Sequence, residues 1–90
     1  MTAFTCRSDI AYRTIDEHLF LITPDGRQHE LVGEVEHCIW RRCEQKPTNF
    51  HTLLAEIVED FDVDEEEARA DLTHFLGEMV AAGILSEKNK

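Results

Sequence analysis

The sequence predicts an α+β domain in which a three-stranded antiparallel sheet is followed by three helices. Two observations predict it. Short apolar segments separated by turn residues fill the first third of the chain, and apolar residues recur at helical spacing from residue 34 onward. The 90 residues correspond to a single domain, 1–90, whose core is predicted over about residues 10–87. An apolar content of 42% suffices for a small core and is too high for a disordered acidic tail.

The predicted sheet is a meander of three strands. The first covers residues 10–16 (IAYRTID), the second 18–23 (HLFLIT) and the third 27–32 (RQHELV). The segment 23–26 (TPDG) between the last two is typical of a tight turn, because proline fixes one backbone angle and glycine supplies a positive φ. Successive strands joined by such short connections are expected to pair antiparallel.

The first two predicted helices follow directly. The first begins after Gly33 and is ended by Pro47. The second is amphipathic, with its N-terminus capped by Thr48 or Asn49. Its apolar residues follow the spacing i, i+3, i+4, i+7, i+8 and i+11: Phe50, Leu53, Leu54, Ile57, Val58 and Phe61.

The third predicted helix begins near Asp64, which pairs with Glu67 as a capping box. Gly83 is expected to end it, and the segment 84–87 (ILSE) to leave as an extended tail. Its buried stripe is predicted to comprise Ala68, Leu72, Phe75, Leu76 and Met79. Trp40 on the first helix is expected in the core against the sheet.

Charge and apolar runs exclude several classes of protein. Nine basic against nineteen acidic residues give a net charge of -10, and Arg41-Arg42 is the one adjacent basic pair. Such a surface disfavours phosphate backbones, so no nucleic-acid partner is expected. No apolar run approaches the ~20 residues that cross a bilayer, and the first fifteen residues do not form a secretory signal. We therefore expect a cytoplasmic protein with no membrane partner.

No pattern in the chain indicates catalysis or a bound metal. The five histidines show no i, i+4 pair, and the acidic run 59–67 (EDFDVDEEE) lacks the glycine and ligand spacing of a calcium loop. There is no glycine-rich phosphate loop, and neither Ser8, Ser86 nor Cys6 has an evident activating base. We expect no enzyme activity, no catalytic residue, no cofactor and no metal. An odd count of three cysteines argues against a disulfide framework.

Strands followed by three helices, with a turn between the first two, form a winged-helix-like plan, which is typical of DNA binding. Particular residues favour another relationship. Ile39-Trp40 on the first helix, Phe61-Asp62-Val63 before the third and Gly83-Ile84-Leu85 after it resemble the PqqD family in order and spacing. That family is the standalone form of the RiPP recognition element, where RiPPs are ribosomally made, post-translationally modified peptides. The resemblance covers about residues 10–87.

The resemblance implies a non-catalytic peptide chaperone. Such a protein binds the leader segment of a precursor peptide and presents it to a modifying enzyme, often a radical SAM enzyme. The leader would add as a further strand in the groove between the third strand and the third helix. The implied strand residues are Arg27, Gln28, His29, Glu30 and Leu31. On the third helix the predicted leader-facing flank comprises Arg69, Leu72, Thr73 and Leu76, although Leu72 and Leu76 also fit an ordinary core.

Strand physics is compatible with this prediction. An exposed sheet edge promotes aggregation unless it is short, carries charged side chains or is covered by a binding partner. Binding of a peptide by strand addition needs only free backbone groups and pockets for side chains. Because backbone groups alternate in direction along an antiparallel strand, one of Gln28 and His29 should offer its N–H outward. The alternatives are a winged-helix DNA-binding regulator and a generic acidic interaction domain. The regulator would need a basic recognition helix, whereas the third helix offers only Arg69 beside several acidic residues.

Overall fold

The computed structural model describes residues 2–16 and 18–89 and confirms the α+β class. Three helices are accompanied by two three-stranded antiparallel sheets. In chain order the elements are β1 (Thr2–Cys6), β2 (Ala11–Ile15), β3 (His18–Ile22), β4 (Gln28–Leu31), α1 (Glu34–Gln45), β5 (Thr48–Asn49), α2 (Phe50–Asp60), α3 (Glu65–Ala81) and β6 (Leu85–Asn89).

The predicted meander is present as the sheet β2-β3-β4. Gly26 adopts the expected positive φ of 89°, and its N–H donates to the Thr23 carbonyl at 2.9 Å. Leu19 pairs with Leu31, and both side chains are buried, whereas Phe20 and Glu30 form the next pair on the more exposed face. The sheet therefore packs one face on the helices and leaves the other toward solvent.

A second sheet, in the order β5-β1-β6, was not predicted. Residues 85–87 are extended, as predicted, but the expectation that the segment leaves the domain as a tail is wrong, because β6 pairs with β1 over five residues. Ile84 and Leu85 are 0% and 2% exposed, so the segment forms part of the core. Gly83, with φ 79°, reverses the chain after α3, and the Ile84 N–H donates back to the Met79 carbonyl at 2.9 Å.

The helix ends follow the predicted capping residues. The Gly33 N–H donates to the Glu36 carboxylate at 3.2 Å before α1. Of the two residues proposed as the N-cap of α2, Asn49 occupies that position, since its side chain accepts from the Thr52 N–H at 2.9 Å. Asp64 accepts from the Glu67 N–H at the start of α3. All five residues predicted for the α3 stripe are buried.

Trp40 lies in the core between α1 and the meander, as predicted. Its side chain is 4% exposed, and its ring meets that of Tyr12 on β2 edge-on, with centroids 4.7 Å apart. Its indole nitrogen is buried without a hydrogen-bond partner among the described residues. The tryptophan thus contributes packing, and its polar atom adds no compensating bond.

Cys43 should be the least reactive of the three thiols. Its side chain is 0% exposed, and burial raises its pKa from 9.0 to about 12, so the nucleophilic thiolate is scarce. We expect an aromatic disulfide reagent at pH 8 to modify the partly exposed Cys6 and Cys38 first, and Cys43 only at the rate of global unfolding. In urea all three should react alike. Modification of native Cys43 as fast as Cys38 would contradict this packing.

Candidate functional site

One long side of β4 has no strand neighbour in the described part of the chain. The strand lies at the end of the order β2-β3-β4 and pairs only with β3. It is four residues long, and Gln28 and Glu30 have exposed side chains. We call this side of β4 the free edge. It is the kind of edge to which another extended chain can add.

The direction of each backbone group on β4 follows from one hydrogen bond and the register. The Thr23 N–H donates to the Arg27 carbonyl at 2.9 Å, so the backbone of Arg27 faces β3. The register then advances one residue at a time without a bulge, from Ile22 opposite Gln28 to Leu19 opposite Leu31. Since backbone groups alternate in direction, His29 and Leu31 also face β3, whereas Gln28 and Glu30 face outward.

Side chains of β4 divide between its two faces. His29 and Leu31 point to the inner face, and the His29 Nε2 is buried without a hydrogen-bond partner among the described residues. Glu30 lies on the outer face and pairs with His18 of β3. The free edge therefore combines a charged outer face with a largely apolar inner face.

A cavity of about 400 Å³ lies between α1 and α3. Its floor is apolar and is formed by Val35, Ile39, Ile57, Val63, Ala68, Leu72 and Phe75. Its rim carries four carboxylates and one imidazole, from Glu36, Glu67, Asp71, Glu78 and His74. We call this the α1–α3 cavity.

The α1–α3 cavity is connected to β4 through the first turn of α1. Only Val32 and Gly33 separate β4 from α1, and the His37 ring is hydrogen-bonded to the Leu31 carbonyl. Val35 and Glu36, in the first turn of α1, line the cavity. The chain therefore leads from the C-terminal end of β4, through Val32 and Gly33, into the α1 wall of the cavity.

The four α3 residues predicted to face the leader do not share one environment. Leu72 lines the α1–α3 cavity, and Leu76 is buried in the core. Arg69 and Thr73 are exposed. The Arg69 guanidinium lies 3.7 Å from the Glu65 carboxylate, and the Thr73 hydroxyl donates to the Arg69 carbonyl at 2.8 Å. The opposite flank, with Asp71, His74 and Glu78, lines the cavity. Contact of a peptide with the Arg69 flank stays a prediction.

Among residues 2–16 and 18–89, no group of three or more His, Cys, Asp or Glu side chains is placed to hold a metal ion. None of the helices described is at once long and apolar enough to cross a membrane.

The fold and the free edge together define a small α+β domain with a winged-helix-like order of helices and, in the described part of the chain, an unpaired sheet edge at β4. The chain belongs to the PqqD family: the family model described as coenzyme PQQ synthesis protein D matches residues 37–85, more than half of the chain. This confirms the resemblance found in the sequence.

Two solved structures have a similar fold. One is TbiB1 in complex with the TbiA(beta) leader peptide, with a TM-score of 0.79, 20% identity, and coverage of 91% of this chain and 94% of that chain. The other is a lasso peptide synthetase B1 complexed with the leader peptide, with a TM-score of 0.78, 15% identity, and coverage of 92% and 96%. No curated protein matches the sequence.

Proposed function

We propose that this protein is a non-catalytic chaperone that binds the leader segment of a ribosomally made precursor peptide and presents it to a modifying enzyme. The leader pairs as an added strand with the free edge of β4. The observation that carries the proposal is the pair of outward-facing backbones at Gln28 and Glu30 on an exposed edge. Membership of the PqqD family and the leader peptides in both similar structures support it.

The free edge by itself provides limited affinity. Gln28 and Glu30 each offer one N–H and one carbonyl, and a main-chain hydrogen bond contributes about 0.5–1.5 kcal/mol net. Binding also has to offset the lost freedom of a flexible leader, which costs several kcal/mol. Side-chain contacts must therefore add to the strand pairing. The proposed contacts are with residues 27–31 and with the α3 residues Arg69, Leu72, Thr73 and Leu76.

The contribution of the Arg69 flank is tested by charge reversal. We expect Arg69→Glu to weaken leader binding several-fold, because it removes a side chain proposed to contact the leader directly. The melting temperature should stay nearly unchanged, because the exposed Arg69–Glu65 pair adds little stability. Arg13→Glu, on the exposed strand β2, is the matched control with the same charge change. Fluorescence titration with labelled leader measures both variants. Equal affinity for Arg69→Glu and the parent would exclude this flank.

Capture from the native cell tests the function as a whole. A tagged copy of the chain, returned to its own cell, should retain a small precursor peptide together with a larger modifying enzyme. The variant Gln28→Pro, captured in parallel, should lose the precursor peptide. If neither variant retains a peptide, or both retain the same peptide equally, binding at the free edge is contradicted.

A DNA-binding role is the alternative that the helix order suggests, and charge argues against it. Helix α3 carries one arginine against five acidic residues, and α2 carries no lysine or arginine. We expect no shift of duplex DNA at micromolar protein and physiological salt, because the acidic surface repels phosphates. A salt-sensitive complex at micromolar or lower concentration would favour the regulator instead.

A further inference from the structure

We infer that the α1–α3 cavity selects leaders in which a bulky apolar residue is flanked by lysine or arginine. This inference rests on the proposed function and specifies the chemistry of its substrate. The cavity combines an apolar floor with a rim of carboxylates, and its α1 wall begins in the first helical turn after β4.

The floor of the cavity fits apolar side chains. Leu72 and Phe75 of α3 face Ile39 of α1 across it, and all three are largely buried. The volume of about 400 Å³ is at the lower end of the ~300–1,000 Å³ of ligand pockets. It therefore accommodates one or two large side chains, such as leucine or an aromatic residue. Removing these side chains from water supplies the non-directional part of the affinity.

The rim carries charge that the protein itself leaves largely unpaired. Glu67 and Asp71 take part in no ion pair among the described residues, and Glu78 pairs only with His74. Glu36 accepts the Gly33 N–H but has no cationic neighbour on the rim. No lysine or arginine lines the cavity. A cationic side chain next to the buried apolar one would supply the missing opposite charge.

Charge also decides between types of leader. An acidic leader would bring like charges to the rim and would be repelled by a chain of net charge -10. A neutral apolar leader would fill the floor but leave the carboxylates unpaired. A basic leader gains both attraction at long range and ion pairs at the rim. Its affinity should consequently fall as salt is added.

Selection from a random peptide library tests this inference. The full chain is immobilised and used to enrich an mRNA-displayed library of linear peptides. We expect enriched peptides to carry a leucine or aromatic residue with lysine or arginine within two positions. The rim variant replaces three rim carboxylates of α3 by Glu67→Gln, Asp71→Asn and Glu78→Gln. The control variant makes the same change of charge at exposed residues outside the cavity by Glu59→Gln, Glu66→Gln and Glu87→Gln.

The dominant peptide is then synthesised and titrated against each variant. The rim variant should bind it about tenfold more weakly, as two or three partly exposed ion pairs would give, and the control nearly as well as the parent. Gln28→Pro should abolish binding. Enrichment that needs Gln28 but shows no basic preference, or equal losses in the rim and control variants, overturns the inference and leaves the proposed function standing. Binding that ignores Gln28→Pro, or no enrichment at all, overturns both.

Discussion

Replacing Gln28 with proline should preserve the fold and remove most of the affinity for a leader peptide, whereas His29→Pro should destabilise the protein by roughly 3 kcal/mol. The two residues are neighbours on one strand, yet their backbones face opposite sides. Proline removes the N–H at each position. At His29 that N–H belongs to the ladder with β3, and at Gln28 it points to the free edge.

The loss expected for His29→Pro is large for this protein, because a domain of this length is stable by only about 5–15 kcal/mol. A loss of 3 kcal/mol is a large fraction of that total and should lower the urea midpoint clearly. Gln28→Ala is the matched control, because it removes the side chain and keeps the N–H, so its leader affinity should be close to that of the parent. If both proline variants fold and bind like the parent, β4 is not the docking edge.

Truncating Trp40 to alanine should destabilise the protein by about 3–5 kcal/mol, the largest loss we expect from a single side chain. The ring is almost fully buried, and it supports both α1 and the contact with Tyr12 on β2. Trp40→Phe should cost much less, because it retains an aromatic ring and removes an indole N–H that has no partner among the described residues.

Urea unfolding followed by circular dichroism measures both tryptophan variants. The alanine variant should unfold at much lower urea, with a similar dependence on denaturant if unfolding remains two-state. Loss of less than about 1 kcal/mol for Trp40→Ala would contradict its place in the core between α1 and the meander.

The elements predicted correctly are those specified by local patterns. The meander follows from short apolar segments around a proline–glycine turn, and α2 and α3 from apolar residues at helical spacing. The sheet β5-β1-β6 escaped prediction because it joins the two ends of the chain to a two-residue strand in the middle. No local pattern specifies such a pairing. The apolar pair Ile84-Leu85 after Gly83 was the one available indication that the chain returns to the core.

The candidate site was predictable only in part. The strand 27–32 was predicted. Which of its backbone groups face outward could be assigned only from the hydrogen bond between Thr23 and Arg27, which the sequence does not reveal. The cavity depends on how α1 and α3 are placed relative to one another, so its α1 wall at Val35 and Glu36 carried no recognisable signal. The apolar periodicity correctly placed Leu72 on the buried stripe of α3. It does not determine which flank of α3 lines the cavity.

Backbone amide hydrogen exchange at β4 distinguishes strand addition at the free edge from any other mode of leader binding. The precursor leader identified by capture is added to the isotope-labelled chain, and exchange is followed by NMR residue by residue. Outward-facing amides exchange readily in the free protein and become protected once they donate to an added strand. We expect new protection at Gln28 and Glu30, with little change at His29 and Leu31, which already face β3. Leader binding without new protection at Gln28 and Glu30 would contradict strand addition at this edge.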